Sequence, residues 1–281
     1  MTASLQRITE DTFEQTLRSF IRSEQIDLRE VAFIDPYGML GLLEIGELCM
    51  IEDVKKTVLL PRSAEVCAYL DRMDFFTHSP RYFTLEGNFP PTKTANRESD
   101  VLLEITPIER ANDIHFIVGK VHDRAQAILA AHLHYDERAI NGFIVALSEV
   151  CQNIIEHSEN KGFVGIQKYR FKSMNKNVVQ IAVMDIGIGF RKSLASRFKL
   201  KSDSEAIEKA LLQGASRYED EGRGHGLASV RRFVNQWNGR ISIRSGTARV
   251  SILPPWARGA GQERSLTLFP GSQINIMLPE V

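Results

Sequence analysis

The chain has 281 residues, of which 43% are hydrophobic and 25% are charged, the profile of a globular protein. Its 35 basic and 35 acidic residues give a formal net charge of zero, which argues against nucleic-acid or anionic-membrane binding driven by net charge. No apolar run approaches the roughly 20 residues that span a bilayer, and the first residues do not resemble a signal peptide. The three unclustered cysteines fit buried thiols in a reducing compartment. We therefore expect a cytoplasmic protein with no membrane or nucleic-acid partner.

Residues 1–78 predict a small α/β module. Residues 31–34 read as a buried strand, and after a turn the apolar spacing of residues 39–51 predicts a helix. Residues 57–60 predict a second strand, and Ser63 is placed to cap a helix that runs to Phe76. Strand, helix, strand and helix in this order indicate an α/β unit.

Residues 79–109 read as a linker, because prolines and polar residues interrupt any long periodic element, although residues 101–108 alternate weakly like a strand. Residues 110–281 predict a second domain. It begins with a long helix from about Asp136 to Ser158, and another helix starts at Gly226. Its predicted strands are 162–169, 178–184, 240–245 and 273–278. Mixed rather than strictly alternating elements favour an α+β fold with helices on one face of a sheet.

The long helix carries the first candidate site. Glu149, Asn153 and His157 are spaced four residues apart, which places them within about 80° on one helix face. The amide oxygen of Asn153 is a suitable ligand for Mg²⁺ that phosphates already neutralise. Glu149 beside it is placed to accept a proton from a hydroxyl or water. A solvated polar face is the alternative explanation of this pattern.

Two glycine-containing motifs follow. Asp185 ends an apolar strand, where a carboxylate can accept a hydrogen bond from an adenine amino group, and Gly187 and Gly189 allow close approach of a flat ligand. The segment from Gly222 to Leu227 precedes a helix, where backbone N–H groups and the helix dipole favour phosphate. Each motif alone is also compatible with an ordinary turn.

The three motifs in this order resemble the GHKL ATPase superfamily, which includes gyrases and histidine kinases, over residues 110–281. The helix motif from Leu147 to His157 is most similar to the anti-sigma-factor serine kinases. The resemblance implies a two-layer α/β sandwich of the GHKL (Bergerat) type that binds ATP and Mg²⁺, with Asn153 on the metal, Glu149 as catalytic base and Asp185 on adenine. The nucleotide-binding residues that it implies are Asn153, His157, Asp185, Gly187, Gly189, Gly222, Arg223, Gly224, His225, Gly226, Leu227 and Ser272.

The segment from Phe33 through Asp35, Tyr37 and Gly38 resembles the phosphoacceptor segment of STAS domains. Tyr37 stands at the position that carries a phosphorylated Ser or Thr in anti-sigma-factor antagonists, so this STAS-like module is expected to dock or dimerise rather than accept phosphate. A plain structural lobe is the alternative.

The resemblance is compatible with three functions. The first is a serine/threonine protein kinase or partner-switching regulator of the anti-sigma type, acting on an unidentified protein partner. The second is a slow ATPase that works as a conformational switch, with a lid over about residues 190–221. The third is a non-catalytic ATP-binding interaction module. Related folds often dimerise, so a homodimer is also open.

Overall fold

The computed structural model describes residues 5–89, 101–171, 174–216 and 226–281, apart from the side chains of residues 125–127. Four of the expected site residues, Gly222, Arg223, Gly224 and His225, lie outside the described residues. Among the residues described, no helix is long and apolar enough to cross a membrane.

A seven-stranded antiparallel sheet occupies the centre of the described chain, in the order β11-β10-β9-β12-β8-β7-β6. The inner strands read as apolar runs because both faces of the sheet are covered. The strands of this sheet are β6 (Val101–Ile108), β7 (Gly162–Phe171), β8 (Lys176–Asp185), β9 (Arg240–Gly246), β10 (Ala248–Ile252), β11 (Gln262–Glu263) and β12 (Phe269–Pro279).

Helices cover one face of this sheet. They are α5 (Ala111–Ala125), α6 (Ala131–Leu133), α7 (Glu137–Asn153), α8 (Gly189–Leu194), α9 (Asp203–Gln213) and α10 (Gly226–Gln236). The helix α7 begins sharply because the Asp136 side chain accepts a hydrogen bond from the Ala139 backbone N–H at 2.7 Å. After Asn153 the chain continues as one π-helical turn, Ile154–Ser158. Val164, Ile181 and Ile243 are completely or almost completely buried beneath these helices.

Residues 5–89 form a front module of short parallel strands and helices. β1 (Arg7–Ile8) pairs with β3 (Phe33–Ile34), and β4 (Lys56–Leu59) pairs with both β2 (Gln25–Asp27) and β5 (Phe83–Glu86). Its helices are α1 (Phe13–Ile21), α2 (Pro36–Ile51), α3 (Ala64–Arg72) and α4 (Phe75–His78).

The front module packs on the sheet face opposite the helices. Successive side chains of a strand point to opposite faces, so Ile181 and Val183 of β8 meet the helices whereas Ala182 and Met184 meet the front module. Met184 belongs to the same apolar core as Leu40 of α2. The helices and the main sheet are the two layers that the sequence predicts, and the front module adds a third layer.

Several expected boundaries differ from the structure. Within the expected linker at 79–109, Phe83–Glu86 is an unexpected strand that joins the small parallel sheet, and Val101–Ile108, where the sequence indicates a strand, joins the main sheet. The helix α2 begins at Pro36 rather than at Met39, since the Asp35 side chain caps it through the Gly38 N–H. The predicted helix from Ser63 to Phe76 is divided, because Asp74 adopts a left-handed conformation with φ 62°.

Candidate nucleotide-binding site

A pocket opens on the helical side of the sheet, between α7, α8, α10 and the ends of β8 and β12. It brings together residues that are far apart in the sequence. The expected site residues that line it are Glu149, Asn153, His157, Asp185, Gly189, Gly226, Leu227 and Ser272. Gly187 does not line it but lies next to Asp185, to which its backbone N–H donates a hydrogen bond of 2.8 Å.

The helix α7 orients two of these side chains. The Asn153 amide nitrogen donates to the backbone carbonyl of Glu149, one turn earlier, at 2.8 Å. This bond leaves the amide oxygen as the group that Asn153 offers to the pocket. Burial, and then the nearby charge of Glu156, raise the pKa of Glu149, which makes this carboxylate a stronger base when it is ionised.

Asp185 is held rigidly at the end of β8. Its carboxylate is only 2% exposed and accepts hydrogen bonds from the hydroxyls of Ser158, at 2.7 Å, and Ser272. Burial raises the pKa of Asp185, whereas these hydroxyls and the Gly187 N–H oppose that rise. A fixed carboxylate at the base of a pocket can discriminate for a ligand with an N–H donor.

The Gly189 backbone allows the chain to turn tightly from β8 into α8. Its φ is +70°, in the left-handed region that favours glycine, and an added Cβ would lie 2.7 Å from the Ser245 hydroxyl oxygen. At the opposite side of the pocket, a Cβ on Gly226 would lie 2.5 Å from Oε2 of Glu149. The first turn of α10 and the Glu149 carboxylate are therefore direct neighbours, which brings a helix N-terminus to the candidate base.

Comparison with known proteins identifies the domain that carries this pocket. Residues 140–267 match the family model of histidine kinase-, DNA gyrase B- and HSP90-like ATPases. These residues form a GHKL-type ATPase domain. The match spans less than half of the chain and leaves the front module outside it. No curated protein matches the chain.

The GHKL-type domain explains why the pocket assembles from separated motifs. Domains of this type bind ATP, usually with Mg²⁺. Asn153 lies on the helix that opens the matched segment, Asp185 lies on a central strand, and Gly226 begins the helix that follows residues 217–225. Ser272 lies just beyond the matched segment, on the last strand, where it contacts Asp185.

Sequence reasoning missed three contributors to the site. Ser158, which donates a hydrogen bond to Asp185, directly follows the helix motif, but nothing in the sequence shows that a π-helical turn aims its hydroxyl at β8. Phe190 and Leu194 of α8 form part of the apolar wall, although this segment was expected to be a lid. Their helical spacing was the available signal.

Proposed function

We propose that the protein is an ATP- and Mg²⁺-dependent regulator that transfers phosphate to a hydroxyl of a protein partner, in the manner of a serine/threonine kinase of the anti-sigma type. The single observation that carries this proposal is the convergence of Glu149, Asn153 and Asp185 on one pocket in a GHKL-type domain. In this proposal Asp185 selects adenine and Glu149 takes the proton of the attacking hydroxyl. The remaining lining residues shape the pocket around the nucleotide.

The residues present fit a magnesium ion held with phosphate. Asn153 offers a neutral oxygen ligand, because its nitrogen is occupied by the Glu149 carbonyl, and a single neutral protein ligand suits a cation that phosphates already hold. Such an ion would supply charge neutralisation at the phosphates. The Gly226 end of α10 would add N–H donors to the same anionic group.

The way in which Glu149 can be reached favours a phosphate acceptor on another protein. Besides the nucleotide pocket, Glu149 also lines an apolar groove between α7 and α10, with Val145 and Phe233 among its walls. A side chain of a partner protein could reach the base along this groove while nucleotide occupies the pocket. We propose a cytoplasmic partner, with the STAS-like front module as the docking or dimerising part of the chain.

The test combines calorimetric ATP binding with phosphate release and transfer, for wild type and for Asn153→Ala, Asp185→Asn and Glu149→Gln. Asp185→Asn should weaken ATP binding about tenfold or more, since a charge-assisted hydrogen bond is worth about 1.5–3 kcal/mol. Asn153→Ala should remove the Mg²⁺ dependence of binding. Glu149→Gln should keep binding and lose transfer by about 10²- to 10⁴-fold.

Glu137→Gln, an exposed carboxylate on the same helix, is the control and should behave as wild type. Transfer is read as label from γ-labelled ATP on protein serine or threonine in an extract. Equal labelling by wild type and Glu149→Gln would exclude Glu149 as the base. No ATP binding by wild type would overturn the whole proposal.

A slow ATPase that acts as a conformational switch is the second candidate, and one observation favours it. The strand that ends at Asp185 places Ala182 and Met184 in the core of the front module, so nucleotide at Asp185 and packing of α2 involve the same strand. ATP should then slow hydrogen exchange in α2 as well as in residues 190–216. Protection confined to the pocket would count against the switch.

A further inference from the structure

A second cleft lies on the sheet face opposite the nucleotide pocket, where the front module and the main sheet meet. Its volume is about 1150 Å³, at the upper end of small-molecule sites, and such sites concentrate at junctions between domains. Gln180 lines this cleft, and it points to the other face of β8 from Asp185 because their positions differ by an odd number of residues. Nucleotide in the first pocket would therefore not reach it.

The floor of the cleft is a buried polar network that joins the two parts of the chain. The Gln180 amide nitrogen donates to Asp35 of the front module at 2.9 Å and to Asn275 of β12 at 3.0 Å. Asn275 in turn donates to Glu10, which forms an ion pair with Arg240 at 3.2 Å. These contacts hold the floor in place, and Arg240 and Arg249 both offset the charge of Glu10, although Glu10 Oε1 and Arg240 Nε have no hydrogen-bond partner among the described residues.

The rim of the cleft has a different charge balance. Arg7, Arg170 and Arg258 all line it, are exposed, and form no ion pair within the described part of the chain. Asp11 is the exposed carboxylate of the lining, and it is already within 3.4 Å of Arg240. One nitrogen of the Arg170 guanidinium donates to the Asn175 side-chain oxygen at 2.8 Å, which holds the group in place and leaves its other N–H groups for a ligand. The Arg7 and Arg258 guanidinium groups complete the basic rim, and guanidinium groups suit phosphate, sulfonate and carboxylate groups.

Aromatic side chains stand between these arginines. Phe33 lies beneath the Arg7 guanidinium, whose central carbon is 4.2 Å from the ring centroid, and Phe171 and Trp256 are partly exposed in the lining. The Trp256 indole N–H is committed to the Asn238 carbonyl at 2.7 Å, so its ring is held in place and offers an apolar surface. Trp256 and Arg258 belong to the loop between β10 and β11, to which the nucleotide site assigns no role.

We propose that this cleft is a second ligand site, which takes a small organic anion with a planar ring. The arginines bind the anionic group and the aromatic side chains pack against the ring. Because Arg7 belongs to the front module while Arg170 and Arg258 belong to the main sheet and its loop, the bound ligand bridges the two parts. The site is independent of the proposed phosphate transfer.

The test uses 8-anilinonaphthalene-1-sulfonate as the probe, since it combines aromatic rings with one sulfonate. The full chain, saturated with ATP and Mg²⁺, should bind one probe molecule with enhanced probe fluorescence. Arg170→Ala and Arg258→Ala should each weaken binding at least fivefold, because each removes a charge-assisted contact. Both side chains are exposed, so the thermal midpoint should not change. Arg232→Ala, an exposed arginine on α10 in the helical layer, is the matched control.

Trp256 locates the bound probe. In a Trp237→Phe background Trp256 is the remaining tryptophan, and its fluorescence should be quenched with the same midpoint as the probe titration. Probe binding that is unchanged in both arginine variants would overturn the proposal.

Competition at saturating ATP then tests the planar ring. Displacement by adenosine monophosphate at concentrations where inorganic phosphate has no effect would support the proposal. Equal displacement by inorganic phosphate would overturn it in favour of a plain anion site.

Discussion

Asp35 is a single carboxyl group that contacts both parts of the chain. It caps α2 through the Gly38 N–H at 2.8 Å and accepts from Gln180 of β8 at 2.9 Å, while only 6% exposed. Burial raises the pKa of Asp35 to about 7, against the hydrogen bonds that lower it. The folded protein therefore keeps a proton on this group at pH values where the unfolded chain has lost it.

This difference predicts how stability changes with pH. The unfolded pKa is 3.8, so the free energy of unfolding should fall as pH rises from about 4 to 7, by at most about 4 kcal/mol at 1.36 kcal/mol per pKa unit. Asp35→Asn keeps a capping acceptor but carries no charge. Urea unfolding at pH 5, 6, 7 and 8 should show the variant gaining stability relative to wild type as pH rises.

Asp136→Asn, the exposed cap of α7, controls for exchanging a capping carboxylate for an amide. A difference between Asp35→Asn and wild type that stays constant from pH 5 to 8 would contradict the assigned cause.

The chemistry of individual residues was accessible to sequence reasoning where it follows local patterns. The position of Asp185 in the pocket could be predicted, because this carboxylate follows an apolar strand and precedes spaced glycines, which places it at a strand end. The burial of Tyr37, which is 1% exposed and packs edge-on against Phe13 at 5.3 Å, was not. It depends on how α1 and α2 meet, and local sequence does not encode that contact.

At the scale of elements, α2 is a helix whose sequence fits its position between two layers. It is buried along most of its length, and an added Cβ on Gly38 would overlap the backbone carbonyl of Ile8 in β1. A backbone atom cannot rotate away as a side chain can. Glycine at this position therefore sets how closely α2 approaches β1.

Two glycine substitutions separate this packing effect from helix propensity. Gly38→Ala should lower the free energy of unfolding by about 1–3 kcal/mol, because the backbone must shift to accept the methyl group. Gly119→Ala, in the exposed interior of α5 where the added Cβ would meet nothing within 4 Å beyond the backbone of its own helix, should raise the free energy of unfolding by about 1 kcal/mol. Urea unfolding of both variants measures the contrast. Equal changes in the free energy of unfolding would mean that helix propensity alone sets the effect of alanine at both positions.

The sequence predicted some elements of the second domain and missed others. The strands β7, β8, β9 and β12 were predicted because their apolar runs are long and clear, whereas α5 and β10 were missed, and α8 and α9 were missed inside an expected lid. The division of the helix after Ser63 was also missed, since an apolar pattern continues across Asp74 although the backbone there is left-handed.

At the scale of the whole molecule, the front module is joined to the main sheet through a shared core. Leu43 of α2 is fully buried in the same apolar cluster as Phe163 of β7, Met184 of β8 and Phe269 of β12. Ion pairs extend the contact, with Glu14 of α1 on Arg244 of β9 at 3.1 Å. The sequence predicts a domain boundary after residue 78, because prolines and polar residues become frequent there. It could not show this docking, because pairing between segments more than 100 residues apart has no local signature.

Such a shared core predicts that both parts unfold in one transition. Leu43→Ala in the front module and Val164→Ala beneath the helical layer remove buried methyl groups from opposite sides of the sheet. Each should lower the midpoint temperature of the same calorimetric transition by several degrees, since large-to-small changes in a core cost about 1–5 kcal/mol of stability. Ile51→Ala is the control on α2, because Ile51 is 68% exposed and should leave the transition in place. Two resolved transitions, with Leu43→Ala shifting only one of them, would show that the front module folds independently and that the contact with the sheet is a docking interface rather than a common core.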